Sequence, residues 1–180
     1  MKPRKMLGDW RGESIQRLMQ LIETQSKETL VRWTTGYARQ QLLPIYEKHC
    51  PDDARPRAAL DAAQDWLGGN IPVARVKPLF KGCFAAAQAA EKNPDAAAHY
   101  IAQAAARAIY AAVNTAAFPT MSINIAYYGA TAIAYDRVGW EEAAEIYDAI
   151  AEAVFAEEIA ALQAIAVEEE PNPAKIKWDS

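Results

Sequence analysis

Apolar residues recur at helical spacing along most of the chain. Ile15, Leu18, Met19 and Ile22 share one face, the 3.6-residue period of an amphipathic helix starting near Ser14. Ser26 can cap a second helix, whose stripe carries Leu30, Trp33, Tyr37 and Gln41. Pro44 falls inside that pattern. It lacks an N–H and its ring meets the preceding turn, so it is expected to kink or divide the helix. A third helix begins near Arg55-Pro56, buries Leu60, Ala63 and Leu67, and stops at Gly68-Gly69. Pro72 opens a fourth, which Pro78 is expected to interrupt before it resumes to about Glu91. Asn93-Pro94 reads as a stop followed by a start. The fifth helix then runs to about Ala117, the sixth from about Thr120 to Arg137, and the last from Trp140 to about Val167.

Strand-type alternation of Val, Ile and Thr is almost absent. The expected fold is therefore all-α, a single bundle of about seven mostly antiparallel helices with short connections, some kinked at proline. The expected organisation is a polar N-terminal arm over residues 1–12, a helical domain over 13–167 and an irregular C-terminal tail over 168–180. No repeat at roughly 34 or 40 residues points to a solenoid.

Composition narrows the class. The chain has 180 residues and is 52% apolar, enough for a substantial core and too apolar for a disordered chain. Much of that fraction is alanine, the best helix former and a small one. The formal net charge is −4, from 19 basic and 23 acidic residues, so there is no global basic field for nucleic acid. The runs Phe84–Ala90 and Ala104–Ala117 are alanine broken by Gln88 and Arg107, too weakly hydrophobic to span a bilayer. Met1-Lys2-Pro3-Arg4-Lys5 is basic, but no apolar segment of signal-peptide type follows it. A soluble, cytoplasmic protein with no membrane or nucleic-acid partner is expected. Cys50 and Cys83 make no disulfide framework. Two reduced thiols are expected, although one bridge is geometrically possible.

No motif for catalysis stands out. There is no Gly-x-Ser-x-Gly, no loop for an oxyanion hole and no phosphate-cradling glycine loop. His49 and His99 are far apart and form no metal-ligand spacing, so neither a metal nor a cofactor is expected. Three groups of residues remain as candidates. Asp52, Asp53, Arg55 and Arg57 can cap a helix start and tie it to Glu47, or grip a partner carboxylate. Glu141, Glu145, Asp148 and Glu152 run down one side of the last helix. They form either a solvated face or a surface that steers a basic partner. Asn114, Asn124, Tyr127, Tyr128 and Asp136, set among alanine, either fix the register of the bundle or line a pocket between helices. Trp10 and Trp178 are candidate exposed anchors near the two ends.

The segment Trp33…Tyr37-Ala38…Leu43-Pro44-Ile45-Tyr46-Glu47…Pro51-Asp52-Asp53-Ala54-Arg55-Pro56-Arg57-Ala58…Trp66-Leu67-Gly68-Gly69 resembles the immunity-protein-5-like family of bacterial immunity proteins. The likeness continues more loosely through the alanine-rich helices to about Ala134. The resemblance implies a helical protein that guards bacteria against a polymorphic toxin by binding it. On that reading the partner is a cognate protein toxin, neutralised by occlusion and without catalysis. The family pattern usually holds two histidines in the stretch aligned with Thr115–Tyr128, where this chain reads Ala117 and Met121. That departure argues against carrying over a metal or acid–base role. Two other readings stay open from the residues alone. One is a helical small-molecule-binding domain or enzyme with a pocket around Asn114–Asp136. The other is a homo-oligomeric structural protein.

Overall fold

The computed structural model describes residues 3, 4 and 6–178. Met1, Lys2 and Lys5 of the expected arm, and Asp179 and Ser180 of the expected tail, lie outside the described residues. The α-helices are α1 (Glu13–Glu23), α2 (Lys27–Tyr37), α3 (Leu43–His49), α4 (Arg55–Leu67), α5 (Val73–Glu91), α6 (Gln103–Asn114), α7 (Asn124–Val138) and α8 (Ala144–Ile165). A π turn over Ala38–Leu42 joins α2 to α3 without a break, so the two form one rod. A second π turn, Ala98–Ala102, leads into α6, and a 3₁₀ turn, Pro119–Ile123, leads into α7. Counted as rods, these are the seven helices that the periodicity predicts.

Local chemistry explains the boundaries. The Ser26 side chain accepts the Thr29 N–H at 3.2 Å and caps α2. Asp95 accepts the Ala98 N–H at 2.9 Å and starts the rod of α6. Pro44 has its effect upstream of itself. The Leu43 N–H bonds the Ala38 carbonyl, five residues back, so the turn before the proline widens to π geometry instead of breaking. Pro78 does not interrupt its helix, contrary to expectation: α5 runs continuously through it. Pro78 is solvent-exposed in the second turn, so the Ala74 carbonyl it leaves unpaired can bond water. The last helix starts at Ala144, later than expected. Tyr147 occupies the intervening turn, its hydroxyl donating to the Gly139 carbonyl at 2.7 Å and accepting the Glu142 N–H at 2.8 Å. Gly139 holds φ at +78°, a conformation that suits glycine.

α6 is the hub of the bundle. It packs against α2, α3, α4, α5 and α7, and Ala104, Ala105, Ala106, Ala108, Ala111 and Ala112 are all buried. Small side chains all round are what allow one helix to take so many neighbours at close range. Larger residues fill the periphery of this alanine centre: Leu18, Ile22, Leu30, Tyr46, Leu60, Phe80 and Phe155 are each at most 1% exposed.

Both ends make specific contacts with the bundle. Leu7 is fully buried, and its N–H donates to Thr131 Oγ1 at 2.9 Å. Gly8 follows at φ +115°, where an added Cβ would sit 2.8 Å from the Tyr127 ring. The arm therefore lies in a groove that only glycine fits. At the other end, the Ala174 N–H bonds the Gln25 carbonyl at 2.8 Å. Trp178 is half-buried, with its indole N–H on Glu23, whereas Trp10 is 58% exposed.

Candidate functional site

The corner at 51–57 is built on Asp53. Tyr46 Oη donates to Oδ2 at 2.7 Å, and Arg55 donates its backbone N–H and Nε to Oδ1 at 3.1 and 2.8 Å and Nη2 to Oδ2 at 2.7 Å. The Arg55 guanidinium, then the Tyr46 hydroxyl, hold the Asp53 carboxyl down at about 2. The Arg55 stem lies over Gly82 of α5, whose added Cβ would meet it at 3.8 Å. Arg57 grips Glu47 with both Nε and Nη2, and Asp52 is exposed. Through these contacts the two arginines connect α4 to α3 and α5. Cys50 and Cys83 are free thiols in this region. Burial raises the pKa of both, and the Cys83 thiol donates to the Ala106 carbonyl at 3.4 Å.

The polar residues around α7 point in different directions. The Asn114 amide reaches the Met121 sulfur at 2.8 Å and the Tyr110 hydroxyl at 3.4 Å. Tyr127 faces Gly8, and Tyr128 lies under the Arg107 guanidinium, 5.7 Å from its ring centre. Asp136 takes Lys48 at 3.0 Å and faces His49 at 3.9 Å. Asn124 is half-buried at the first residue of α7. This dispersal follows from the helix itself: Ile125, Ala126, Ala130, Ile133 and Ala134 bury it on several sides. A partly open cavity of about 280 Å³ is lined by its neighbours Thr131 and Tyr135, and by none of these five.

The acidic residues near α8 are exposed. Glu141 lies before the helix, and Glu145, Asp148 and Glu152 follow along its solvent side. Asp148 pairs with Arg4 at 3.0 Å, and Glu152 accepts the Ser14 hydroxyl at 2.7 Å. Glu157, Glu168 and Glu169 extend the exposed set to seven. Not one lysine or arginine occurs from Val138 to Ala174.

One carboxylate escaped the sequence reading. Glu158 of α8 is fully buried, and neither side-chain oxygen has a hydrogen-bond partner among the described residues. Tyr37 Oη is buried and unpartnered as well. Gly129 of α7 leaves room for the carboxyl: an added Cβ there would be 3.4 Å from Oε1. The Trp33 indole N–H bonds the Glu158 backbone carbonyl at 3.0 Å and ties α2 to α8 at this level. Burial, with a smaller push from Glu157, raises the Glu158 pKa well above its ordinary value. A signal existed. Glu158 sits on the same stripe as Tyr147, Ala151, Val154, Phe155 and Leu162, the buried face of α8.

Among the described residues, no group of three or more His, Cys, Asp or Glu side chains is placed to hold a metal ion. No helix is long and apolar enough to cross a membrane. The family model described as Imm-5 like putative immunity protein matches residues 20–171, most of the chain. The chain belongs to that family. No curated protein and no solved structure matches it. The matched span covers the 51–57 corner, the alanine hub and the acidic helix, and leaves out the N-terminal arm and the first residues of α1.

Proposed function

We propose that this protein binds a cognate bacterial protein toxin and neutralises it by occlusion, presenting the acidic side of α8 and its flanks to a basic surface. The observation that carries the reading is the one-signed stretch from Val138 to Ala174, with seven exposed carboxylates and no cation of its own. Such a field raises the encounter rate with a basic partner and disfavours acidic ones. Membership of an immunity-protein family supplies the class of partner. The arginines of the 51–57 corner contribute less to this surface, because Arg55 and Arg57 already hold Asp53 and Glu47.

The test is coexpression with the toxin encoded beside the gene. Growth should be rescued and a complex recovered by pull-down. Reversing Glu141, Glu145 and Glu157 together to lysine should slow association by about tenfold or more at low salt. No rescue and no complex with the wild-type protein would refute the reading. Unchanged association by the reversed variant would move the binding surface off α8.

A further inference from the structure

The N-terminal arm roofs the cavity of about 280 Å³ between the end of α5, the second π turn, α6 and α7. His99, Gln103 and Arg107 line one wall, each four residues after the last, so successive turns of one rod carry them in a row. Thr131 and Tyr135, one turn apart on α7, line the opposite wall, and Arg4 lies in the roof. The wall on α6 begins in the π turn at 98–102, and turns of this kind are frequent at functional sites.

The two walls are used differently. The polar groups of α7 are taken up in holding the arm. Thr131 Oγ1 accepts the Leu7 N–H at 2.9 Å and donates to the Tyr127 carbonyl at 2.8 Å, and Tyr135 Oη donates to the Arg4 carbonyl at 2.6 Å. Arg4 reaches on to Asp148 at 3.0 Å. The α6 wall has donors to spare. Gln103 Nε2 is shielded from solvent and has no hydrogen-bond partner among the described residues. Arg107 Nη2 forms a long ion pair with Glu91 Oε2, at 3.8 Å. That is too long for a hydrogen bond, and it leaves the guanidinium fork available. Glu91 is the one carboxylate among the described lining residues, and it is solvent-exposed.

A shielded amide donor one turn from an unsaturated guanidinium calls for a group that accepts several hydrogen bonds and carries negative charge. Carboxylates and phosphates meet both needs, and arginine binds either through paired N–H donors. The cavity lies just below the range of about 300–1,000 Å³ of pockets for drug-sized ligands, so the ligand must be small. We propose that this cavity is a binding site for a small carboxylate or phosphate anion, gripped by Gln103 and Arg107 and covered by the N-terminal arm. The proposal is independent of toxin binding.

The test uses the full chain, with succinate and inorganic phosphate as probes and sodium chloride at matched ionic strength as control. At least one anion should raise the melting temperature and shift the side-chain NMR signals of Gln103 and Arg107 saturably. Response to succinate alone identifies a carboxylate site, and response to phosphate alone a phosphate site. Arg107→Gln and Gln103→Leu, each checked for folding by circular dichroism, should weaken that binding about tenfold or more. If a variant fails to fold, the wild-type NMR titration decides. The proposal is overturned if neither anion at ~10 mM moves those signals more than chloride does, or if both folded variants bind as the wild type.

Discussion

Asp53 and Glu158 are two carboxylates with opposite solutions to burial. Asp53 sits at a corner with its side chain 20% exposed, and four hydrogen bonds converge on its two oxygens. Glu158 sits in the core with neither oxygen partnered among the described residues. The same chemical group therefore stabilises one region and burdens the other. What differs is the supply of donors. The 51–57 turn brings Tyr46 and Arg55 within a few residues of Asp53, whereas Glu158 faces Gly129 of α7, which has no side chain to offer a donor. Their pH dependences run in opposite senses. The Asp53 pKa is lowered, so its contribution is complete above the ordinary aspartate value and lost as pH falls towards about 2. The Glu158 pKa is raised, so the folded chain holds a proton that the unfolded chain releases, and stability falls as pH rises above the ordinary glutamate value.

The largest expected effect comes from removing the costly member. Glu158→Leu should raise unfolding stability at pH 7 by about 3 kcal/mol, because an unpaired buried carboxyl is replaced by an apolar side chain of similar size. Glu158→Gln should give a smaller gain, since it leaves a buried amide without partners. Both should flatten the decline in stability that sets in as pH rises above the ordinary glutamate value. Urea titrations across that range measure all three quantities. A loss of stability in Glu158→Leu would break the comparison, since it would mean that the carboxyl makes a favourable interaction in the folded protein.

The corner should respond in the other direction and by less. Asp53→Ala removes the acceptor for Tyr46 and Arg55 together and should cost about 2 kcal/mol. Its stability should also stop falling between about pH 4 and 2, where the wild type loses the Asp53 contribution. The acid limb of the urea midpoint, wild type against variant, checks this. A variant that kept the wild-type acid limb would assign that limb to other carboxylates.

These two regions also separate what was legible in the sequence from what was not. The tie from Arg57 to Glu47 is readable because the partners lie ten residues apart across one turn. The seven rods are readable because apolar period and proline or glycine punctuation agree at nearly every boundary. Pro44 announces a disturbance, but not its form, because a π turn depends on which carbonyl the Leu43 N–H finds. Pro78 misleads because tolerance of proline depends on solvent reaching the carbonyl it leaves unpaired. Leu7 reads as part of a polar arm until the groove beside Gly8 is seen to receive it. Glu158 lies on an apolar stripe and could have been flagged, but its lack of partners is a tertiary fact. The cavity under the arm joins residues from Arg4 to Tyr135 that no spacing rule brings together.

Arg57→Ala is the smallest expected effect and the one that isolates burial from geometry. Arg57 meets Glu47 through two donors, a good geometry by itself, but the pair is open to solvent: its side chains are 50% and 32% exposed. Exposed pairs gain little, because water already serves both charges and two long side chains must be held in one arrangement. The urea midpoint of Arg57→Ala should therefore match the wild type within error, and its acid limb should be unchanged. Asp53, less exposed and joined to a tyrosine as well as an arginine, should differ clearly in the same assay. If Arg57→Ala instead cost as much as Asp53→Ala, paired geometry would set the strength of this corner whatever the exposure, and Arg57 would rank with Asp53 in holding α3 to α4.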